Sequence, residues 1–566
     1  MCKLCDDGIP QNHSAEGIPE NRSDEGIPQG HSGSRRDFLK ATAATGVAAA
    51  GLNLFSARPA GADDDDGGPK DSGKRGRRYI IRGGAVMSMD PTVGDFPKGD
   101  VLVEGKKILA VGANLSAGGA AEIDAHGKIV MPGFIDTHHH QFETVLRSFL
   151  ADGVLINDGS NTPSGNTTYY EFILQKFAPV YRPEDVYINE LFGGLSQLDD
   201  GVTTVHDISQ IHHSPEHSDA AIKALFDTGR RAALGYFEGA FTTNPHYAYP
   251  QDAVRIKKQF FSSSDQLVSM IMGGEVYLGP ATYSQSWKIG RQLGLQIAAH
   301  ILSPFGIRPI LDQLAQGQGG LPGDNLGLAP DNLFIHMTGM SDDGWKGVHD
   351  KGVQVSIAFP IEMNMRHGMP PIVRMQRMGM EPSLSTDVEC TMTADFFTQM
   401  RVCMNLQRVV VNQMVLNQGF PPDPIDWGLP PAAAANPWPY GPYPDGIPAL
   451  LTTRDVLRYA TMNGAKALRL DGKVGSLTPG KEADIIILDA EALNVAPLNQ
   501  VPGAVVSLMD RTNVETVIVA GKVRKWKGKL LDVNLPNLRR QIENSRDYVF
   551  ANANIPADRL GLFSVQ

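Results

Sequence analysis

Pro132-Gly133-Phe134-Ile135-Asp136-Thr137-His138-His139-His140 passes from an apolar β-type stretch into three consecutive histidines. Side chains alternate across a strand, so His138 and His140 share one face and His139 takes the other. With Ile129–Ile135 as the first strand, seven more strand-like stretches recur downstream. They are Thr203–Asp207, Arg231–Phe237, Val268–Gly274, Leu295–His300, Leu333–Met337, Val353–Phe359 and Pro382–Thr386, with helix-like segments in most gaps. Eight such βα units predict an α/β fold of the TIM-type (β/α)8 barrel class, whose active sites lie at the carboxyl ends of the strands. A doubly wound open sheet is the alternative, but no Gly-x-Gly-x-x-Gly or Walker-type loop follows any of these strands.

A barrel gathers the strand ends, and the strand ends carry ligand-type residues. His300 closes the fifth stretch, His336 the sixth, and Asp387 follows the eighth. Neutral imidazoles combined with one carboxylate suit a single divalent metal ion, zinc first and iron second, and leave a position open for water.

The flanks read differently. Short alternating runs such as Asp100-Val101-Leu102-Val103-Glu104 return near the far end as Ala483-Asp484-Ile485-Ile486-Ile487-Leu488 and Glu515-Thr516-Val517-Ile518-Val519. Neither set has enough strands alone, so a small composite β-sandwich built from residues 78–128 and 471–530 is expected around a barrel of residues 129–470. Residues 531–566 form a C-terminal extension. The stretch 421–448 is too proline-rich for helix or sheet and reads as a lid or as a contact between subunits of a homo-oligomer. Upstream, Ser34-Arg35-Arg36-Asp37-Phe38-Leu39-Lys40, a short alanine-rich apolar run and Ala60-Gly61-Ala62 follow the order of a twin-arginine export signal. A nine-residue repeat around Gly8-Ile9-Pro10, Gly17-Ile18-Pro19 and Gly26-Ile27-Pro28 precedes it. Residues 1–62 are thus expected to be a removable address and 63–77 a flexible linker.

Four segments together resemble the amidohydrolase superfamily, in the branch of the cytosine, guanine and thiomethyladenosine deaminases and the triazine hydrolases. They are Pro132 to His140, Gly201-Val202-Thr203-Thr204-Val205, Ala460-Thr461-Met462-Asn463-Gly464-Ala465-Lys466-Ala467-Leu468, and Val474-Gly475-Ser476-Leu477-Thr478-Pro479-Gly480-Lys481-Glu482-Ala483-Asp484. The resemblance spans residues 79–530. It implies one metal held by His138, His140, His300 and Asp387, with His336 contacting substrate or the attacking water. No lysine ends the fourth strand, Met270-Ile271-Met272-Gly273-Gly274-Glu275, so the carbamylated-lysine two-metal variants are not supported. One departure stands out. Deaminases of this branch carry His-x-x-Glu on strand five, whereas this chain reads His300-Ile301-Leu302-Ser303. Glu143, three residues past His140, is expected to enter the pocket and replace the missing acid, the alternative being a surface pair with Arg147. Glu238, at the end of strand three, is a weaker candidate. Met363-Asn364-Met365-Arg366-His367-Gly368-Met369, after strand seven, is expected to give an apolar wall with Arg366 or His367 as a polar contact.

Composition narrows the partners. The chain has 566 residues and a net charge of −11, and loss of residues 1–62 leaves −10. No general attraction to nucleic acid or anionic lipid is expected, and a small-molecule substrate fits better. The apolar run of the signal is too short to span a bilayer, so no stable membrane insertion is expected after processing. Four cysteines make no disulfide scaffold. The expectation is therefore an exported hydrolase, periplasmic or secreted, that uses one metal ion to attack a C–N bond of a small cyclic or amide-like substrate. Asp387 would take the water proton, and His336 would polarise the attacked group or steady hydroxide. A lyase or decarboxylase on the same scaffold, or a periplasmic ligand-binding protein derived from it, is the alternative.

Overall fold

The computed structural model describes residues 68–157, 159, 167–239, 246–417 and 446–556. The repeat and signal of residues 1–62, the start of the linker, most of the proline-rich stretch and the last ten residues of the extension lie outside them. Five strands come first: β1 (Arg78–Val86), β2 (Phe96–Glu104), β3 (Lys107–Gly112), β4 (Ala121–Asp124) and β5 (Lys128–Pro132). The barrel strands follow: β6 (Phe134–His139), β7 (Val202–Ser209), β8 (Arg231–Tyr236), β9 (Val268–Gly273), β10 (Ile297–Ile301), β11 (Asn332–His336), β12 (Gln354–Ile357) and β13 (Ser383–Leu384). The chain ends with β14 (Ile485–Asp489), β15 (Val514–Val519), β16 (Lys522–Trp526), β17 (Lys529–Leu530) and the helix Leu535–Asn552.

Both ends of the chain meet in one nine-stranded sheet, ordered β17-β16-β15-β14-β5-β1-β2-β3 with β4 on β1. β5 and β14 are its antiparallel junction, with Met131 opposite Ile486 and Val130 opposite Ile487. Val101, Val103 and Val130 from one end share a buried apolar cluster with Ile485, Ile487 and Ile518 from the other. Alternating apolar residues of two sequence-distant segments thus bury a face that neither set covers alone.

The predicted first strand, Ile129–Ile135, is divided between the two sheets. Its first part, β5, belongs to the terminal sheet, and the barrel begins only at β6. Gly133 makes the switch. A Cβ there would fall 2.2 Å from the Thr203 methyl carbon, so only glycine lets the chain pass β7 this closely. The boundary between sheet and barrel therefore lies after Pro132, not at residue 128. Residues 69–77, expected as linker, form turns against the sheet, where Val523 N–H donates to Ser72 Oγ over 3.1 Å. The extension supplies the helix Leu535–Asn552, whose Leu538, Val549 and Phe550 join the main apolar core.

The eight barrel strands run parallel in sequence order from β6 to β13. β13 is only two residues long, and the barrel is closed just beyond it by His140 N–H donating to Asp387 O (2.9 Å) and Asp387 N–H to His138 O (3.0 Å). At the opposite rim Arg231 opens β8 with its guanidinium 3.0 Å from Asp484 and 2.8 Å from Glu482, fastening barrel to sheet. No helix among the described residues is long and apolar enough to cross a membrane.

Candidate metal centre

The closing bonds of the barrel carry the ligand-type side chains with them. His138 Nε2 lies 3.0 Å from His140 Nε2 and 3.1 Å from His300 Nε2. Asp387 Oδ1 stands 3.3 Å from His138 Nε2 and 3.6 Å from His140 Nε2. His139 turns away, its Nδ1 2.9 Å from Thr386 Oγ1, as strand alternation predicts. His336 approaches from β11, with Nε2 3.6 Å from Asp387 Oδ2. His336 and Asp387 both have left-handed backbones, φ 69° and 64°, a strain that non-glycine residues accept where a side chain must be aimed.

The outer nitrogens fix what the inner ones offer. His140 Nδ1–H donates to Ile208 O over 2.9 Å, His300 Nδ1 bonds the Glu275 carboxylate, and His336 Nδ1 lies 3.0 Å from Glu362 Oε1. Each of these rings keeps its proton on Nδ1, so three bare Nε2 lone pairs point inward. A single hydrogen on His138 Nε2 cannot satisfy both His140 and His300. Burial pushes the pKa of His138, His140 and His336 well below the usual imidazole range, so added protons do not resolve the conflict. Burial also pushes the Asp387 carboxyl well upward. A divalent cation reconciles neutral imidazoles with an ionised aspartate, and the donor set of nitrogen and oxygen fits one. Glu275 and Glu362 were not foreseen. Glu275 follows β9, and Glu362 lies in the helix Phe359–Asn364 after β12, but only their distance from a histidine gives them a part.

A narrow cleft opens over this centre, lined by His140, His300, His336 and Asp387 together with Tyr169, Tyr277 and Phe305. Tyr277 and Phe305 are stacked, with centroids 4.5 Å apart. Glu143 is wholly buried and does not line the cleft. Its Oε1 accepts the Tyr169 hydroxyl over 2.6 Å, so Tyr169 is the face of this pair toward the cavity. Burial lifts the Glu143 pKa to about 8. The alternative pairing of Glu143 with Arg147 does not occur, because Arg147 is held at 2.8 Å by Glu389. Glu238 also lies behind the cleft, where its Oε1 accepts the Glu275 amide over 3.0 Å. After strand seven Met365 lines the cavity, while Met363 and Met369 are exposed. His367 lines it too, buried and edge-on to His336. Ser303 stands with His367 and Arg366 in an outer vestibule.

Beneath the cluster lies a polar layer that sequence patterning does not expose. Arg230, fully buried, donates to Gln197 Oε1 over 2.9 Å and to Gln141 Oε1. Gln197 donates to Asp136 over 2.7 Å, and Gln141 to Glu190 over 2.9 Å. This network pins the chain on both sides of the His138–His140 segment.

A family model described as the amidohydrolase family matches residues 129–425 and 448–524. The 5'-deoxyadenosine deaminase of Methanosarcina acetivorans is 25% identical over 484 residues, covering 84% of this chain and 99% of the relative. The 5-methylthioadenosine/S-adenosylhomocysteine deaminase of Symbiobacterium thermophilum is 24% identical, covering 79% and 93%. Among solved structures, an adenosine deaminase from Xanthomonas campestris with bound zinc superposes with a TM-score of 0.66 at 20% identity, over 84% of this chain and all of the other. The zinc complex of an atrazine chlorohydrolase from Arthrobacter aurescens gives 0.65 at 19%, over 83% of this chain and all of the other. These two structures share the fold.

Proposed function

The chain belongs to the amidohydrolase family and is a hydrolase of carbon–nitrogen bonds, and from that premise we propose that it removes the amino group of an adenosine-like or related nitrogen heterocycle at one divalent metal centre. The observation that carries this reading is the convergence of His140, His300 and Asp387 around His138 beneath a cleft with aromatic walls. These four residues would hold the ion, zinc first and iron second. When bound, the ion lowers the pKa of water and makes hydroxide available near neutral pH.

The chain's own groups supply the rest. The stacked Tyr277 and Phe305 present an apolar wall to a planar ring, and Leu155, Leu174, Leu302 and Met365 limit water in the cleft. Asp387 accepts the proton of the attacking water, and the bare Nε2 of His336 accepts a hydrogen bond from that water and orients it; polarising the attacked carbon–nitrogen unit, the other role expected of His336, would need a proton on Nε2. Ser303 has no group that titrates near neutral pH. Glu143, acting through the Tyr169 hydroxyl, takes over the proton transfer to the leaving group that the resemblance assigns to a strand-five carboxyl. A leaving group that needs no proton is the second reading, a halide or the product of a lyase reaction, and Ser303 is the observation that favours it.

The test is ammonia release by the zinc-loaded full chain. Adenosine, 5'-deoxyadenosine and methylthioadenosine come first, then cytosine, aminotriazines, lactams and ureas. Ammonia from any amino-heterocycle supports the reading. Turnover confined to halogenated rings or to lactams moves the reaction class, and no turnover by the metal-loaded protein refutes hydrolysis of these bonds. The Arg35-Arg36 segment is read as export to the periplasm or exterior through the twin-arginine machinery, and the proline-rich stretch as a lid or homo-oligomer contact.

A further inference from the structure

One ion at His138, His140, His300 and Asp387 Oδ1 leaves a second group of acceptors unexplained. Asp387 Oδ2 has no hydrogen-bond partner among the described residues, and neither ring nitrogen of His367 has one. His367 is only 4% exposed. A neutral buried imidazole with both nitrogens unpaired is costly, so its surroundings must supply a partner. A nitrogen of His336, a nitrogen of His367 and an oxygen of Asp387 all lie within 4.8 Å of one another. The rings stand edge to face with centroids 4.7 Å apart. The loop bearing His367 is fixed, since Thr338 Oγ1 donates to its carbonyl over 2.7 Å.

A water molecule that donates to His336 Nε2 and Asp387 Oδ2 and accepts from the N–H of His367 would satisfy the three groups, but it gives no reason for Glu362. Its carboxylate backs His336 Nδ1 just as Glu275 backs His300 at the first centre. A carboxylate on the outer nitrogen fixes the tautomer and raises the basicity of the inner one, which is how metal-ligating histidines are built. We propose that the chain holds a second divalent cation between His336, His367 and Asp387 Oδ2, with the Asp387 carboxylate bridging the two ions. Two imidazoles and one carboxylate suit zinc, iron or manganese and leave positions open toward the cleft. No carbamylated lysine is needed, because Asp387 is the bridge. His367 and Ser303 line the same vestibule, so the second cation stands on the side of the cleft where the strand-five carboxyl is missing. It gives an electron-pair acceptor for a leaving nitrogen at that place, and it brings His336 to the substrate through the ion.

The proposal rests on the one-metal reading and changes one part of it, since His336 Nε2 becomes a ligand of the second ion in place of a direct contact to the attacking water, and it is tested without any substrate. Full-length protein stripped of metal is titrated with zinc by calorimetry, and bound metal is counted by mass spectrometry. Two equivalents are expected for the native chain and one for His367→Ala. Glu362→Gln should weaken the second equivalent alone by about 10- to 100-fold. Where His367→Ala does not fold, anomalous scattering at the zinc edge from crystals of the native chain decides, with two peaks expected, one on either side of Asp387. One equivalent with one peak at saturating zinc overturns the proposal and leaves His367 as a substrate contact. Two equivalents retained by a folded His367→Ala also overturn it. Two bound ions with no ammonia from any amino-heterocycle would instead count against the proposed deamination and leave the second site standing.

Discussion

The two rims of the barrel treat buried charge in opposite ways. At the amino rim Arg231 is almost wholly buried, and its guanidinium is taken up by Asp484 and Glu482 on the segment leading into β14. At the carboxyl rim His138 Nδ1, Asp387 Oδ2 and both nitrogens of His367 have no partner among the described residues. The first arrangement is complete within the chain and joins two sheets. The second is complete only with something bound. At the Arg231 contact the buried charges are satisfied within the chain, whereas at the histidine cluster buried ligand-type atoms are left without partners among the described residues.

The sharpest way to break this comparison is at the carboxyl rim. His300→Ala should remove the ion held with His138 and His140 together with measurable activity, with a loss of at least about 10⁴-fold if that ion supplies the nucleophile. A His300→Ala protein that keeps its full metal content and turnover breaks the comparison. Next in size is the pair behind the cleft. Glu143→Gln should lower kcat by about 10²–10⁴ with metal content intact, and Tyr169→Phe should fall in the same range, since general acid–base assistance is worth that much. Ser303→Ala should cost far less. If Glu143→Gln turns over within about twofold of the native enzyme, Asp387 and His336 carry the protons.

The amino rim should respond in stability and not in chemistry. Arg231→Met leaves the buried Asp484 carboxylate without its guanidinium, while Glu482 keeps Lys106 at 3.5 Å, and should destabilise by about 3 kcal/mol in urea unfolding, with metal stoichiometry unchanged. Loss of metal in that variant would mean that the two rims are coupled.

A smaller effect comes from pH. The Glu143 carboxyl titrates at about 8 in the fold against an ordinary 4.5, so the folded chain holds a proton that the unfolded chain releases. Its contribution is fully present below pH 4.5 and is lost as pH rises toward 8. Over that window stability should fall by at most about 1.4 kcal/mol per pH unit on account of this group, and Glu143→Gln should flatten the slope. Urea midpoints at three pH values measure it. The last expectation leaves the folded enzyme untouched. Arg35-Arg36→Lys-Lys should hold the precursor in the cytoplasm, seen by fractionation, because the signal is read as an arginine pair. Normal export of that variant would remove the signal reading.

The sequence by itself determined the class of fold, because eight apolar runs spaced by helix-length segments admit few other packings. It also marked His138, His140, His300, His336 and Asp387, because each lies at a strand end that a parallel barrel brings to one rim. The tertiary structure alone decided the rest. Glu275 and Glu362 acquire a role only through a distance to a histidine, which no spacing along the chain encodes. Glu143 lies near the expected place in sequence, yet Tyr169 comes between it and the cleft because the helix Tyr169–Phe177 packs there. The break at Gly133 follows from the close approach of Thr203, a contact between segments 70 residues apart. Periodicity and residue type report what a segment will bury. Which buried polar atoms find partners depends on contacts between distant segments, and those form only in the fold.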